Sequence, residues 1–467
     1  MTKSEIGVFG LGVMGKSIAL NIMNHGYSVS VYNREEDLVD KFKILTEEKE
    51  VSYCYDVETF IHSLSIPRKI LLMVTAGQAV DSVIETLIPH LEKGDIIIDG
   101  GNSYFKDTIR RNQYLESKGI EYLGVGISGG EQGALFGPSI MPSGKQTVYN
   151  QIKHVLESIS AKADDGEVCC SYIGEAGSGH YVKMVHNGIE YADIQIICEA
   201  YSFMKDGLKL SIDEIQEIFE KWNKGKLQSY LIKITAEILK KKDEFTDNYL
   251  IDMILDKAEQ KGTGKWTAVE GFDMGTPIPT IIAAVEARYL SSKKNDRLQA
   301  SKILSFEIQD KAYNKEEVID SLENAIYVAK ICCYAQGFEL LKDAAHCYHW
   351  NLDFGKIAMV WREGCIIRAN FLNEIKEAFD EEKNQNLILT KRFYGNIMKY
   401  QDDMRDTIMK MIGCGIYMPA FTSSLQYLDG YRTEITSANL LQAQRDYFGA
   451  HTYQRVDRQG TFHTIWE

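Results

Sequence analysis

The sequence predicts an α/β Rossmann-type N-terminal domain, a large all-α domain after it and a short C-terminal tail. Up to about residue 176, short β-branched apolar runs alternate with helical patterns. From residue 177 to about 432, long helical patterns follow one another without strands between them. The remaining stretch, residues 433–467, begins as a helix and becomes polar, aromatic and aperiodic. A chain of 467 residues is also too long for one ordinary domain.

Four apolar runs in the first domain have the length and β-branching of buried parallel strands: IGVFG, VSVY, ILLMV and DIIIDG. Helical patterns lie between them, which predicts a doubly wound sheet with helices on both faces. In such sheets ligands bind beyond the carboxyl ends of the strands. The residues that directly follow each run are therefore the first candidates for a binding site.

A glycine-rich turn follows the first predicted strand and opens the first helix. Gly10 permits the tight turn, Gly12 lets a pyrophosphate approach the backbone, and Gly15 permits close packing of helix on strand. The helix N-terminus favours phosphate. The turn predicts a dinucleotide site, and we assign its whole length to the cofactor: Gly10, Leu11, Gly12, Val13, Met14 and Gly15.

The end of the second predicted strand favours NADP over NAD. NAD enzymes usually place Asp or Glu there for the ribose hydroxyls, whereas this chain has Asn33 and Arg34, and arginine suits a 2′-phosphate. Glu35 follows directly and would repel that phosphate if it pointed inward. The loop after the third predicted strand is also assigned to the cofactor, through Val74, Thr75 and Ala76.

Two further loops are predicted to meet a ligand at the same edge of the sheet. Asn102 follows two glycines after the fourth predicted strand, and we expect it to contact both cofactor and substrate. The stretch GISGGEQGALFGPS supplies Ser128, Gly129 and Gly130 just beyond another strand. A glycine-rich loop can be only a turn, and its position beyond a strand favours the binding interpretation.

A helical stretch after the sheet domain carries four polar side chains in one row. Lys183, His186, Asn187 and Glu190 lie at offsets 0, +3, +4 and +7, which place them on one narrow stripe of a helix. A solvated charged face is one interpretation. The rest of the helix circumference is largely apolar, which predicts burial, and buried Lys and Glu need partners or a function.

Composition excludes several classes of partner. The formal net charge of -14 makes nucleic acid and anionic membrane unsuitable as general partners. There is no run of about 18 apolar residues, and the N-terminus enters a strand pattern too early for a signal peptide, so we expect a cytoplasmic protein. The nine cysteines lack metal-binding spacing and are expected to be reduced, buried thiols, so no metal is predicted.

The sequence also contains a weak internal repeat. The twenty residues from Asn187 align without gaps with the twenty from Asn324, and Tyr327 stands where the first copy has Glu190. A duplication that kept the helix and lost the acid would give this pattern, and so would two similar long helices.

Together these motifs resemble the 6-phosphogluconate dehydrogenase family, the decarboxylating enzymes of the pentose phosphate pathway. The resemblance covers essentially the whole chain through GLGVMG, DGGN, SGGEQGA, GPSIMPSG, KMVHNGIEY, KGTGKWT and RDYFGAHTY, in the order of the family. It implies oxidative decarboxylation of 6-phosphogluconate to ribulose 5-phosphate and carbon dioxide, with reduction of NADP.

The resemblance also implies a role for individual residues. Lys183 would be the general base and Glu190 the general acid. The arginine and histidine of the tail, Arg445 and His451, would reach into the site of the other subunit of a homodimer. The remaining substrate contacts would come from Asn102, Ser128, Gly129, Gly130, His186 and Asn187 for the sugar acid and from Tyr191, Lys261, Thr263 and Arg288 for its phosphate.

Two residues depart from the family pattern, and two other functions are also compatible with parts of the sequence. Glu35 stands where many relatives have Thr, and Thr75 where many have Lys, and both changes remove favourable charge near a 2′-phosphate. One rival is another β-hydroxyacid dehydrogenase, of the hydroxyisobutyrate type. Such enzymes are generally shorter, and their reaction would not require Arg288, Lys261 and the residues of the tail. The other is a non-catalytic NADP-binding sensor, which loss of Lys183 or Glu190 would have favoured.

Overall fold

The computed structural model describes residues 3–47, 49–260, 262–304 and 313–466. Within these residues, seven strands form one sheet in the order β3-β2-β1-β4-β5-β6-β7. The first six pair in parallel, and β7 runs antiparallel to β6 at the edge. The strands are β1 (Ile6–Phe9), β2 (Val29–Tyr32), β3 (Val51–Cys54), β4 (Lys69–Leu72), β5 (Ile96–Asp99), β6 (Glu121–Ser128) and β7 (Ser139–Gly144).

Two of these strands correct the expectation of a sheet built from apolar parallel runs. β3 has the sequence VSYC and is only partly buried, so it lacks the signature of a central strand. β7 contains Pro142, which cannot donate to a ladder and is tolerated at a sheet edge. As a result, the runs ILLMV and DIIIDG belong to the fourth and fifth strands of the chain rather than the third and fourth.

Helices cover both faces of the sheet, and each face has its own apolar cluster. Val8 of β1 lies in one cluster and its neighbour Phe9 in the other, as the two-residue period of a strand requires. The helices of this part are α1 (Val13–Asn24), α2 (Glu36–Leu45), α3 (Val57–His62), α4 (Gln78–Leu87), α5 (Phe105–Ser117), α6 (Gly130–Phe136) and α7 (Gln146–Ile159).

The rest of the chain is helical and is built around two long helices, α8 and α15. The helices are α8 (Ser178–Ser202), α9 (Ile212–Trp222), α10 (Tyr230–Lys240), α11 (Leu250–Met253), α12 (Thr263–Met274), α13 (Pro279–Ser292), α14 (Lys294–Ile303), α15 (Lys315–Tyr348), α16 (Phe354–Val360), α17 (Phe371–Glu381), α18 (Lys391–Gly413), α19 (Pro419–Arg432) and α20 (Ala438–Gly449).

Helix α8 joins the two parts of the molecule. It packs against β6 and β7 on the sheet side and against α12, α13, α15 and α19 on the helical side. The contact with β6 is close because of Gly126, where an added Cβ would lie 2.6 Å from Cβ of Lys183. A glycine in the strand therefore allows the lysine of the polar stripe to lie directly over the sheet.

The two helices that carry the internal repeat, α8 and α15, pack against each other. Asp193 of α8 and Lys330 of α15 occupy equivalent positions of the alignment, and both side chains are buried. Lys330 Nζ donates to both carboxylate oxygens of Asp193, at 2.6 and 2.5 Å. The aligned positions therefore form a buried ion pair at the centre of the helical core.

The C-terminal tail is organised around one carboxylate. Asp446 of α20 is buried and accepts hydrogen bonds at 2.9 to 3.1 Å from Thr452 N, His463 Nδ1, Thr464 N and Trp466 Nε1. Several large apolar side chains of α20 are exposed: Leu440, Leu441 and Phe448. Over the described ranges, no helix is both long enough and apolar enough to cross a membrane.

Candidate active site

The glycine loop after β1 has the geometry that a bound pyrophosphate needs. Gly10 has φ +105°, and a Cβ at Gly15 would lie 2.0 Å from the carbonyl oxygen of Gly10. A Cβ at Gly12 would meet nothing within 4 Å, so the backbone there is open to a ligand. Helix α1 begins directly afterwards, and no side chain caps its N-terminus. These residues fit a dinucleotide, whose phosphates would accept from the free N–H groups.

The end of β2 is tied to this loop and carries the expected arginine. The backbone N–H of Leu11 donates to Asn33 Oδ1 at 2.9 Å. The Arg34 side chain is 87% exposed and pairs with Glu35, at 2.6 Å between Nη2 and Oε1. Asn33 Nδ2 also donates to Glu35 Oε2, at 2.9 Å. Arg34 is accessible to a 2′-phosphate, and Glu35 competes with that phosphate for the guanidinium.

The loops after β4 and β5 lie side by side at the same edge of the sheet. Leu72 and Asp99, the last residues of the two strands, are paired in register. A Cβ at Gly101 would lie 3.2 Å from the carbonyl oxygen of Val74, so the two loops nearly touch. Thr75 and Asn102 are exposed on them. The predicted cofactor loop and the predicted substrate residue Asn102 are thus neighbours.

The polar stripe of α8 is held together by hydrogen bonds and lies inside the molecule. Lys183 Nζ donates to Asn187 Oδ1 at 2.6 Å and to Ser128 Oγ at 3.1 Å. Asn187 Nδ2 in turn donates to Thr263 Oγ1 at 3.0 Å, at the start of α12. The Lys183 residue is only 7% exposed. The structure therefore connects the SGG loop, the stripe and α12 around one lysine.

Burial moves the pKa values of the stripe in opposite directions. It lowers the pKa of Lys183, against the attraction of the Glu190 carboxylate. It raises the pKa of Glu190, against the attraction of Lys183 and Arg288. At neutral pH both shifts favour the uncharged forms, an amine that can accept a proton and a carboxyl group that can donate one.

His186 occupies a position from which it can bind a ligand. Its Nδ1 lies 3.0 Å from Asn187 Oδ1 and 3.9 Å from Glu190 Oε2. Burial, with the nearby Lys183, lowers its pKa well below the usual value, so the ring is neutral. In the described part of the chain, its Nε2 is buried without a hydrogen-bond partner. A buried polar atom without a partner is costly, which favours a ligand atom at this place.

The predicted phosphate residues are partly assembled. The Arg288 guanidinium carbon lies 3.4 Å from the centre of the Tyr191 ring, and the Tyr191 ring packs against α12 at Gly264. Thr263, the residue directly before Gly264, is buried. The other predicted phosphate residue, Lys261, lies outside the described residues.

The tail residues are not brought to this site within one chain. Arg445 and His451 are exposed. The contacts that the structure describes for them are local, from Arg445 Nη1 to Gln442 Oε1 at 3.1 Å and between the rings of His451 and Phe448. Both residues are available to a second molecule.

Sequence reasoning missed the segment that backs the SGG loop. A Cβ at Gly129 would lie 2.6 Å from the carbonyl oxygen of Gly364, and the Trp361 ring lies 5.5 Å from the His186 ring. Cys365 is buried in the same segment, and its electrostatic effect raises the pKa of Lys183, against the larger lowering by burial. The only sequence signal was the unusual composition of the stretch WREGC, which has no periodicity.

Among the residues that the structure describes, no group of three or more His, Cys, Asp or Glu side chains is placed to hold a metal ion. The chemistry available here is that of an amine, an imidazole, an amide and a carboxyl group beside a dinucleotide loop.

Two family models together match nearly the whole chain. The NAD binding domain of 6-phosphogluconate dehydrogenase matches residues 5–174. The 6-phosphogluconate dehydrogenase C-terminal domain matches residues 179–466.

Full-length relatives point in the same direction. A Bacillus subtilis protein named 6-phosphogluconate dehydrogenase, NADP(+)-dependent, decarboxylating, is 53% identical over 100% of both chains. A second B. subtilis protein, named as the NAD(+)-dependent decarboxylating enzyme, is 53% identical over 99% of both. The solved structure of Plasmodium falciparum 6-phosphogluconate dehydrogenase, described in its apo form and with NADP+ and 6-phosphogluconate, is 44% identical, with a TM-score of 0.96 over 99% of this chain and 100% of its own.

Proposed function

The chain belongs to the 6-phosphogluconate dehydrogenase family, and on that basis we propose how its own residues carry out the reaction. The protein is an NADP-dependent oxidoreductase that oxidises and decarboxylates 6-phosphogluconate. The products are ribulose 5-phosphate, carbon dioxide and NADPH. Full-length relatives at 50% and 53% identity are named 6-phosphogluconate dehydrogenase, which favours this activity over a hydroxyisobutyrate-type enzyme and a non-catalytic sensor.

The observation that carries the residue assignment is the environment of Lys183. Its amine is buried and bonded to neutral oxygen atoms of Asn187 and Ser128, and no carboxylate of the described residues is in direct contact with it. Such a lysine loses its proton more readily than an exposed one. It is therefore suited to accept the proton of the substrate's 3-hydroxyl group.

The same amine then serves the second half of the reaction. The nicotinamide of bound NADP supplies the hydride acceptor for carbon 3. As an ammonium group, Lys183 donates its proton to the new ketone oxygen, which accepts the electron pair released when carbon dioxide leaves. Glu190, whose pKa is raised by burial, delivers a proton to carbon 1 of the resulting enediol while Lys183 takes back the enol proton, which gives ribulose 5-phosphate.

The other predicted residues bind and orient the reactants. The glycine loop, with Asn33 and Arg34, holds the dinucleotide, together with the loop Val74–Ala76. The sugar acid is held by neutral donors and acceptors around α8, and its phosphate by the cations near Tyr191. These residues are Asn102, Ser128, Gly129, Gly130, His186, Asn187, Tyr191, Lys261, Thr263, Arg288 and, from a second subunit, Arg445 and His451.

The active form is a homodimer with shared sites. The tail supports this proposal because Leu440, Leu441 and Phe448 of α20 are exposed apolar side chains, and Arg445 and His451 are exposed in the same segment. A cytoplasmic location and the division into residues 1–176, 177–432 and 433–467 remain proposals. The location is supported by the nine cysteines, all of which are free thiols.

The activity is tested by following reduced nicotinamide absorbance with 6-phosphogluconate and, separately, with hydroxyisobutyrate, while carbon dioxide is collected. We expect NADPH and carbon dioxide in equal amounts from 6-phosphogluconate alone. NADPH formation from hydroxyisobutyrate without carbon dioxide would contradict the assignment.

The shared site is tested by mixing two inactive variants, Lys183→Met and Arg445→Ala, through joint unfolding and refolding. In a mixed dimer one site then carries both defects and the other carries none. Random mixing makes about half of the dimers mixed, so roughly a quarter of the wild-type activity should return. If mixed dimers form and no activity returns, the two residues act within one chain.

A further inference from the structure

A buried arginine lies directly behind the two loops that carry the predicted cofactor and substrate residues. Arg111, in the middle of α5, has a side chain that is 1% exposed. Its Nε donates to Asp81 Oδ1 at 2.8 Å, and its Nη2 donates to the carbonyl oxygen of Gly77 at 2.8 Å. Gly77 ends the loop that follows β4, and Asp81 lies in the first turn of α4. One arm of the guanidinium is thus bonded to the cofactor loop.

The other arm points to the loop that carries Asn102. Arg111 Nη1 lies 3.4 Å from Ser103 Oγ and 3.5 Å from Asp99 Oδ2. Asp99 is the last residue of β5, and it shapes its own loop by accepting from Gly101 N at 3.1 Å and from Ser103 Oγ at 2.7 Å. Gly101 and Ser103 flank Asn102 and are buried, whereas Asn102 is exposed.

The carboxylate of Asp99 is also held by a residue of the neighbouring strand β6. Tyr122 of β6 donates to Asp99 Oδ2 at 2.8 Å, and both side chains are buried. The network therefore runs from the β6 strand through Asp99 and Arg111 to the loop after β4. A guanidinium is planar and rigid, so its bonds fix the distance between the groups at its two ends.

The residue before it shows what an ordinary arginine does at this place. Arg110 also bonds to Asp81, at 2.9 Å, but its side chain is 55% exposed and its other contact is to Asp107 of the same helix. Arg110 contacts neither Gly77 nor the Asn102 loop in the described residues. The chain thus offers two adjacent arginines that share one carboxylate and differ in whether they join the loops.

We propose that Arg111, with Asp99, is a positioning residue that holds the Val74–Ala76 loop and the Asn102 loop at the separation required for hydride transfer. The inference rests on the proposed function of these two loops. Neither side chain touches a reactant. Their effect is on geometry, and a misplacement of the reacting groups by about 1 Å can cost on the order of 100-fold in rate.

The test compares Arg111→Lys with the matched variant Arg110→Lys in the full-length protein. Lysine keeps the charge at position 111 but cannot bond to both loops at once. We expect kcat to fall by about 100-fold in Arg111→Lys, with circular dichroism unchanged and the KM for 6-phosphogluconate altered far less than kcat. The isotope effect with substrate deuterated at carbon 3 should rise, because hydride transfer becomes rate-limiting. Arg110→Lys should match the wild type in all of these measurements.

Each outcome decides the inference. An Arg111→Lys protein with wild-type kcat and isotope effect overturns it, and so does an equal loss in Arg110→Lys. If Arg111→Lys does not fold, Tyr122→Phe replaces it, since it removes only one donor to Asp99. A smaller loss of kcat with a raised isotope effect then supports the inference, and wild-type kinetics overturn it. A wild-type protein without activity on 6-phosphogluconate would instead contradict the proposed function.

Discussion

Helices α8 and α15 share a twenty-residue stretch that aligns without gaps, and each helix buries a lysine, yet the two lysines have opposite surroundings. Lys330 of α15 is 2% exposed and bonds to both oxygens of the Asp193 carboxylate. Lys183 of α8 bonds to the neutral oxygens of Asn187 and Ser128. The helix equivalent of Lys183 in α15 is Asp320, which is exposed and pairs with Lys221 at the surface.

The difference supports the proposed division of the two buried lysines into a structural one and a reactive one. A buried lysine that bonds to a buried carboxylate is held in place by that pair, and removal of either partner is destabilising. A buried amine with neutral partners has a depressed pKa and can exchange a proton. The proposed reactivity of Lys183 therefore depends on its having no carboxylate in contact among the described residues, and the following predictions test that distinction.

The largest expected effect is on stability, at the paired lysine. Lys330→Met leaves the Asp193 carboxylate buried without its partner, and removal of one member of a buried pair costs about 3–5 kcal/mol in the free energy of unfolding. Chemical denaturation at fixed protein concentration measures the loss. The double variant Lys330→Met with Asp193→Leu should recover most of it. A single variant as stable as the wild type would show that the pair contributes nothing.

The unpaired lysine should behave in the opposite way. Lys183→Met removes a buried group that bonds to neutral oxygens and contacts no carboxylate in the part of the chain that the structure describes. The denaturation midpoint should therefore change little, and cofactor binding should persist. Hydride transfer should fall by at least about 100-fold, the typical contribution of a general base. Single-turnover absorbance measures the step. Near-normal turnover would make Lys183 a structural residue.

Replacement of the acid should change the pH dependence of turnover. Burial lowers the pKa of Lys183 and raises that of Glu190, so activity rises with pH as Lys183 loses its proton and falls as Glu190 loses its own. Glu190→Gln should reduce kcat by less than Lys183→Met, because water can deliver the later proton. It should also abolish the alkaline fall. An alkaline limb that persists in this variant would assign that limb to another group.

The smallest effect is expected at Arg34, whose side chain and whose partner Glu35 are both exposed to solvent. Arg34→Ala should weaken NADP binding by about tenfold, the lower end for a bond to a charged group, and leave NAD binding nearly unchanged. Glu35→Thr should act in the opposite direction, since it frees the Arg34 guanidinium for the 2′-phosphate. Titration with both cofactors measures the two ratios. Equal losses for NADP and NAD in Arg34→Ala would exclude a 2′-phosphate contact.

Features made by neighbouring residues were predictable from the sequence, whereas features made by distant ones were not. The glycine loop and the row of side chains on α8 are local, because a turn and a helical period place their members. The strand β7 was not predicted, since Pro142 disguises an edge strand. Arg110 and Arg111 look identical in the sequence, and only the packing of α5 buries one of them. The pairing of Asp193 with Lys330 likewise depends on how two helices meet.

The continuity of α8 has a consequence for ligand design. Lys183 and Glu190 lie seven residues apart on one uninterrupted helix, which sets a rise of about 10.5 Å between them. That spacing is the same whether the sheet and the helical core stand close together or apart. An inhibitor that contacts only α8 would therefore bind equally well whether the sheet and the helical core are close together or apart. Selectivity for one state would have to come from groups that extend across to the glycine loop or the Asn102 loop, where the spacing depends on how the two parts of the molecule meet.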